Sequence, residues 1–352
     1  MNFAMDDDAL GLVDSIADFF ERRGDARAIA EAAATSTTAD RRRWAALCEM
    51  GLPVLRLAGP DGIGAGLLEA TAVAEKIGAV LLPEPAVAAV VLADAWSSHP
   101  QAAQLLDDLC SGARIVALCG FDTVELSGAG EVSGQATVPD DGVTDAVALP
   151  ARDLDTAESA IVVIDRAGLG PPIDRTVVDP SRPTAVINLG AVKPLDVLRL
   201  SNPSADRIRR ELTVLTVAEL VGGMHKVLAD TLDYVKTREQ FGRAIGSFQA
   251  VKHKLADMYA ATEQARAAVQ FAALQCANPD GEASAAVASA ARWVPRSAIK
   301  LFEDAIHLHG AMGYSWEISV HLHLRRALAT RALVNNAEAI SLHCVSATSG
   351  AA

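Results

Sequence analysis

A mainly α-helical chain with a small β unit in its middle is the fold class that three features of the sequence predict. Of 352 residues, 51% are hydrophobic and 4% aromatic, so the apolar part is chiefly Ala, Val and Leu, which suits closely packed helices better than a large β-sandwich. Apolar residues recur at the 3.6-residue period toward both ends of the chain. Near residue 113 that period gives way to short β-branched runs divided by Gly, Pro and Asp. The length, about two to three times that of a common domain, fits three parts: helices over 1–112, a shortened β region over 113–203 and a four-helix bundle over 204–352.

In the first part, Leu10, Val13, Ile16, Ala17 and Phe20 mark one amphipathic helix. A second runs from Ala39 through Trp44 and Leu47 to Met50, closed by Gly51. Residues 57–66 are rich in turns. Their Gly62-Ile63-Gly64-Ala65-Gly66 string follows a helix and a Pro-containing piece rather than an apolar strand, so the glycines read as turn formers and not as a dinucleotide loop. A helix over 67–78 follows, and Pro83 and Pro85 end the block. The runs 114–119, 132–138, 143–149, 160–164 and 185–189 predict small antiparallel strands. From Ala205, the positions Ile208, Leu212, Leu215, Leu220, Met224, Val227 and Leu228 predict a long helix to Lys236. Three more over 248–275, 284–309 and most of 321–344, joined by short connections, complete an antiparallel bundle.

Charge and composition exclude several roles. Lys and Arg total 31 against 44 Asp and Glu, a formal charge of −13 that repels nucleic acid and anionic membranes at long range. No apolar run reaches about 18 residues, and the start, Met1-Asn2-Phe3-Ala4-Met5-Asp6-Asp7-Asp8, lacks the basic opening of a signal peptide. Neither nucleic-acid binding nor membrane insertion is expected, and the expected location is cytoplasmic. Cys48, Cys110, Cys119, Cys276 and Cys344 have no CxxC spacing and read as idle thiols. His307, His309, His321, His323 and His343 cluster late in the chain, but His-x-His on a helix sets two rings about 200° apart, a poor chelate, so no metal is expected. The clusters Arg41-Arg42-Arg43 and Arg207-Ile208-Arg209-Arg210 read as solvated helix faces.

Two segments carry chemistry. In 236–249 a basic, Gly-containing loop joins two helices and ends in the amide of Gln249. Arg238 there offers a planar fork suited to phosphate, and the new helix start offers free N–H groups. The alternative is that Arg238 pairs with a carboxylate and Phe241 only packs. In 305–317 a helix runs into Gly310, Ala311 and Gly313, which permit close approach of a backbone or ligand, or simply cap the helix.

Taken together, the two segments resemble the acyl-CoA dehydrogenases. TREQFGRAIGSFQAVKHKLADM is similar to that family's Arg-x-x-Phe-Gly-x-x-(Ile/Leu)-x-x-x-Gln loop, and AIHLHGAMGYSWE to its Gln-(Ile/Leu)-x-Gly-Gly-x-Gly-(Phe/Tyr)-x-x-Glu segment. Upstream, Trp44 to Met50-Gly51 and AVAEKIGAVLLPEPAV, with its Glu-x-x-Gly and Pro-x-Pro, extend the likeness. The resemblance implies an N-terminal helical domain, a middle β-barrel and a C-terminal four-helix bundle, with FAD bound between subunits. It implies that Arg238, Gln240, Phe241 and Gln249, joined by His307, Leu308, Gly310 and Ala311, contact a neighbour's FAD. His307 stands where Gln is usual and keeps a hydrogen-bond donor. The implied reaction is α,β-dehydrogenation of an acyl-CoA thioester, with an electron-transfer flavoprotein as electron acceptor.

The family pattern breaks at the catalytic base. The Tyr-Glu-Gly-Thr string that carries it falls on Leu333-Val334-Asn335-Asn336, and a second known position falls on Leu212. Glu211 is adjacent but about 100° away around the helix, Glu219 reads as a solvent or bundle-rim charge, and Glu317 matches a structural position. No catalytic residue is therefore assigned. The flavin-facing strings of the β domain are replaced by Cys119-Gly120-Phe121-Asp122-Thr123 and by 133–139, and no Trp lies between Trp96 and Trp293. The implied identity is the degenerate subunit of an α2β2 enzyme, similar to actinobacterial dehydrogenases of steroid side-chain CoA thioesters. A homologous partner would supply the flavin-ring contacts and the base, giving two FAD per tetramer. Two alternatives stay open: a non-catalytic scaffold or regulatory paralogue, and an active homodimer using Glu211 or Glu317.

Overall fold

The computed structural model describes residues 7–23, 25–33, 39–60, 62–119, 124–174, 177–278 and 282–348. Six helices come first: α1 (Asp7–Arg23), α2 (Asp25–Ala33), α3 (Arg41–Glu49), α4 (Leu67–Ala79), α5 (Ala86–Ser97) and α6 (Ala103–Cys110). Asp40 starts α3 by accepting the Arg42 N–H at 2.8 Å. Helix α5 carries Ala, Val, Leu and Trp on every face except at Asp94 and the terminal Ser97, and a helix that is apolar all round is stable only when enclosed. That absence of amphipathic contrast is why the periodicity did not single it out.

Eight strands follow: β1 (Val116–Leu118), β2 (Val124–Leu126), β3 (Val132–Pro139), β4 (Ala146–Asp153), β5 (Ser159–Asp165), β6 (Pro172–Asp174), β7 (Thr184–Val192) and β8 (Asp196–Leu200). They pair in the order β6-β7-β3-β2-β4-β5-β8, with β1 also on β4. Among the described residues the hydrogen-bond path has two ends, β6 and β8. The expectation of antiparallel strands throughout is corrected at two places, because β1 and β2 both run parallel to β4. Strands β2, β6 and β8 escaped the sequence pattern; the first two have three residues each and the third lies in the stretch read as the end of the β region. Period-2 alternation splits the sheet's apolar residues between two cores. Ala146, Ala148, Ile161 and Val163 join the helices, while Val147, Leu149, Val162 and Ile164 pack with Leu126, Val138 and Ile187.

The bundle comprises α7 (Asn202–Thr237), α8 (Gln249–Ala277), α9 (Ala283–His309) and α10 (Val320–Thr348), with a two-stranded hairpin, β9 (Glu239–Gln240) and β10 (Arg243–Ala244), between α7 and α8. Helix α7 is long and apolar enough to cross a membrane by length and composition, yet 72% of its most apolar window is buried inside the chain, as for the central helix of a core. Its closest neighbour is α4. A Cβ on Gly78 would lie 1.8 Å from the Glu219 carbonyl oxygen, and one on Gly222 would lie 1.7 Å from that of Glu75, so the two backbones touch where both helices carry glycine. The Glu-x-x-Gly of α4 thus has a packing cause: Gly78 seats the crossing, and Glu75 reaches α8, where Arg266 donates to it at 2.6 Å.

Candidate functional site

At one end of the bundle the chain turns its polar groups outward. Phe241 and Gly242, at the tip of the β9-β10 hairpin, have φ of 53° and 75°, the two positive values of a type I′ turn. A bulky residue is disfavoured there, and Phe241 is also 91% exposed, a combination that packing within this chain does not reward. The Arg238 backbone is fixed, its N–H donating to Tyr234 O at 2.9 Å and its carbonyl accepting from Ile245 at 2.8 Å. Its guanidinium is exposed and has no partner among the described residues. Gln240 lies exposed beside it, its amide donating to Glu239 O at 2.9 Å. Gln249 opens α8, 3.3 Å from the His253 ring, and no side chain caps that helix, so its first N–H groups stay open.

Tyr234, near the end of α7, stacks on His309, near the end of α9, at 4.4 Å, and so joins the two motif segments. His307 is exposed, Leu308 half-buried, and Gly310 and Ala311 exposed. Gly310 takes a φ of 61°, which explains the glycine. Every residue assigned to cofactor contact therefore lies at this end. Tyr314 and Trp316 add exposed aromatic surface beside it.

The second feature is mainly apolar. A cavity of about 140 Å³ lies between the start of α5, strands β1 and β3, and helices α7 and α10. Leu212, Thr216 and Glu219 line it from one face of α7, and Leu333 faces them from α10. Val334, next along the string that stands in the family's base position, is fully buried. A second cavity of about 230 Å³, bounded by β4, β5 and the start of α7, shares Leu118 and Leu212 with the first.

The carboxylates near these cavities are committed. Asp141 accepts from the N–H groups of Val143 and Thr144 and from the Thr144 hydroxyl at 2.7 Å. Glu219 accepts two bonds from Arg182, at 2.9 and 3.1 Å. It is 2% exposed, which corrects its reading as a rim charge: the Gly78 crossing buries that stretch of α7. Glu211 turns away from the cavity and accepts from Arg56 at 2.7 Å and from Arg207 at 3.2 Å. Glu317 is exposed at the bundle end. With their oxygens already engaged by guanidinium donors, neither Glu211 nor Glu219 is positioned to take a proton from a C–H bond.

Behind the cavity lies a buried ion-pair network. Arg326 on α10 pairs with Asp179 and donates to the Ser181 hydroxyl at 2.7 Å, while Arg182 also donates to the Leu82 carbonyl at 2.6 Å. Burial alone would raise the Asp179 carboxyl; Arg326, the Ser181 hydroxyl and Arg182 outweigh it and hold that carboxyl below its ordinary value. The network ties the 177–183 loop to α7, α10 and the α4–α5 connection. It went unseen in the sequence because its members are far apart, Arg326 and Asp179 alone by 147 positions. Two basic clusters are corrected similarly: Arg43 is buried against Glu84 at 2.7 Å, and Arg207 pairs with Asp94 at 2.7 Å. Burial pushes the Cys48 thiol up to about 12 and those of Cys110 and Cys276 to about 11, so they stay protonated. Residues 120–123 of the replaced flavin-facing string fall outside what is described, as do the side chains of Asn335, Asn336 and Cys344.

Helices, sheet and four-helix bundle in this order recur in solved structures. The ChsE4-ChsE5 complex of Mycobacterium tuberculosis aligns with a TM-score of 0.85 over 98% of this chain and 99% of that one, at 24% identity. The Tcur3481-Tcur3483 steroid ACAD aligns at 0.77, over 96% and 100%, also at 24% identity. Residues 213–334 match the family model for the acyl-CoA dehydrogenase C-terminal domain. The acyl-CoA dehydrogenase IpdE2 of M. tuberculosis is 28% identical over 92% of both chains, and FadE34 of the same organism is 31% identical over 79% of this chain and 38% of its own length. The chain is a homologue of the acyl-CoA dehydrogenases, an oxidoreductase family.

Proposed function

We propose that this chain is the cofactor-completing subunit of a hetero-oligomeric, FAD-dependent acyl-CoA dehydrogenase. Its bundle end would hold the pyrophosphate and adenosine of FAD seated in a homologous partner, and the partner would supply the flavin-ring contacts and the base. The observation that carries this reading is the contrast between an outward-turned Arg238, Phe241 and Gln249 and a cavity whose base-bearing positions are apolar.

The residues suit that half of the cofactor. Arg238 presents a free planar fork of the kind that binds phosphate oxygens in pairs, and the uncapped start of α8 adds backbone donors of the same sense. Gln249 and His307 bring further hydrogen-bonding groups, while Gly310 and Ala311 permit close backbone approach. The chemistry supplied by bound FAD is hydride acceptance from the β carbon of the thioester. The ChsE4-ChsE5 complex and the Tcur3481-Tcur3483 steroid ACAD, each built of two different chains, support an unlike partner and a steroid side-chain CoA as substrate class. An electron-transfer flavoprotein is the proposed electron acceptor.

Co-expression with a homologous full-length dehydrogenase tests this. The expected product is a yellow α2β2 complex with two FAD per tetramer that oxidises an acyl-CoA, whereas the lone chain yields no stoichiometric flavin. Stoichiometric FAD and turnover in the lone chain would overturn it, and a partner whose flavin content and turnover ignore this chain would favour the scaffold role.

A further inference from the structure

The Arg238 hairpin and the end of α9 are tied to each other through Tyr234. Its carbonyl accepts the Arg238 N–H at 2.9 Å and the Thr237 hydroxyl at 3.1 Å, which fixes where α7 ends and the hairpin departs. Its ring lies 4.4 Å from that of His309 at an interplanar angle of 24°, and its hydroxyl reaches the His309 carbonyl at 3.4 Å. His309 is itself held. It is 5% exposed, and its Nδ1 faces the Ala305 carbonyl at 2.9 Å, so that nitrogen carries the proton and donates, which fixes the plane of the ring.

Each segment is seated closely on its own helix. A Cβ on Gly246 would lie 2.9 Å from the Val235 carbonyl oxygen, so the far side of the hairpin sits against α7, and one on Gly313 would lie 2.6 Å from that of Ile306, so the turn after Gly310 sits against α9. Two such pieces need a fixed spacing to meet one ligand, because a site that must be ordered on binding loses affinity. The stack supplies that spacing. At 3.4 Å the hydroxyl bond is long for O–H···O, so the ring rather than the hydroxyl carries the contact. We infer that Tyr234 is a positioning residue: its ring, stacked on His309, sets the distance between Arg238 and the 307–311 segment so that both reach one phosphate-bearing ligand. That this ligand is a partner's FAD rests on the proposed function; the spacing role does not.

Amide hydrogen exchange on the full chain alone tests the spacing without flavin. Tyr234→Leu should speed exchange by at least about five-fold in both 238–248 and 310–315, while Tyr234→Phe stays within about two-fold of the native chain. Equilibrium dialysis of the complex with the co-expressed homologous dehydrogenase then reads FAD retention, which Tyr234→Leu should weaken by about ten-fold and Tyr234→Phe should keep within about two-fold. Added to Arg238→Ala, Tyr234→Leu should cost no more than about three-fold further, because it acts largely through that arginine. His309→Leu repeats the comparison from α9 if Tyr234→Leu folds poorly. Unchanged exchange in the leucine variant, a phenylalanine variant as impaired as the leucine one, or a loss of about ten-fold even in the Arg238→Ala background would overturn the inference. An Arg238→Ala complex that keeps its FAD overturns the cofactor reading instead, and the exchange result then decides for or against Tyr234 by itself.

Discussion

The bundle end and the cavity beneath α7 treat polar groups in opposite ways. At the bundle end Arg238 and Gln249 stand exposed, and Phe241 holds an unfavourable backbone angle with almost no cover. Around the cavity Arg182 and Arg326 are matched to Glu219 and Asp179. The first pattern suits a surface that gains its partners on assembly, because an open guanidinium contributes little until something anionic meets it. The second suits a scaffold, because a charge withdrawn from water is tolerable only when paired. The region beneath α7 therefore pairs its buried charges and presents leucine and valine at positions 333 and 334.

The sharpest way to break this contrast is to unpair the scaffold. Arg326→Met leaves Asp179 buried without its cation, and denaturant titration should show a loss of about 3–5 kcal/mol. A loss below about 1 kcal/mol would mean that the network is solvated and that the two regions differ less than described. Next in size is Arg238→Ala. It should leave the unfolding midpoint of the lone chain unchanged while weakening FAD retention by the complex by about 2 kcal/mol, or roughly thirty-fold, as measured by equilibrium dialysis. A stability loss without a flavin effect would assign Arg238 to packing.

The mildest test uses pH. His323 is enclosed beside Phe302 and pushed down to about 3 by burial first, then by Arg326, Lys226 and His321, with Asp179 opposing. The folded chain keeps this ring neutral while the unfolded chain protonates it near pH 6.5, so between those values the unfolded state binds more protons. Stability should be fully present above about pH 6.5 and fall with acidification toward pH 3, at up to about 1.4 kcal/mol per pH unit from this group. His225 and His321, also shifted down by burial, act in the same direction. Urea titrations at several pH values should show the acid limb flattened by about one proton in His323→Asn, and an unchanged limb would place the proton uptake elsewhere.

Much of the bundle end was legible in the residues. The Arg-x-x-Phe-Gly spacing and the uncapped helix start are local features, settled within a dozen positions, so sequence order alone brings Arg238 near Gln249. Helix α5 was less legible, since an all-round apolar helix has no face to reveal it. The parallel pairing of β1 and β2 with β4 was hidden because strand direction depends on the path between strands, not on their composition. Glu219 shows the limit most clearly. Its neighbours in sequence are compatible with a surface charge, and only the glycine-seated crossing of α4 on α7 encloses it.

By itself the sequence determined the order of helices, sheet and bundle, and the identity of the groups at the hairpin and at the end of α9, because periodicity and turn chemistry act over a few residues. Tertiary structure alone decided that Leu212 and Leu333, 121 positions apart in a chain of known numbering, line one cavity, and that Thr216 is left facing it. Which face of a long helix meets a void, and which charge is shut from water, depends on how distant elements cross, and that geometry arises only when the whole core closes.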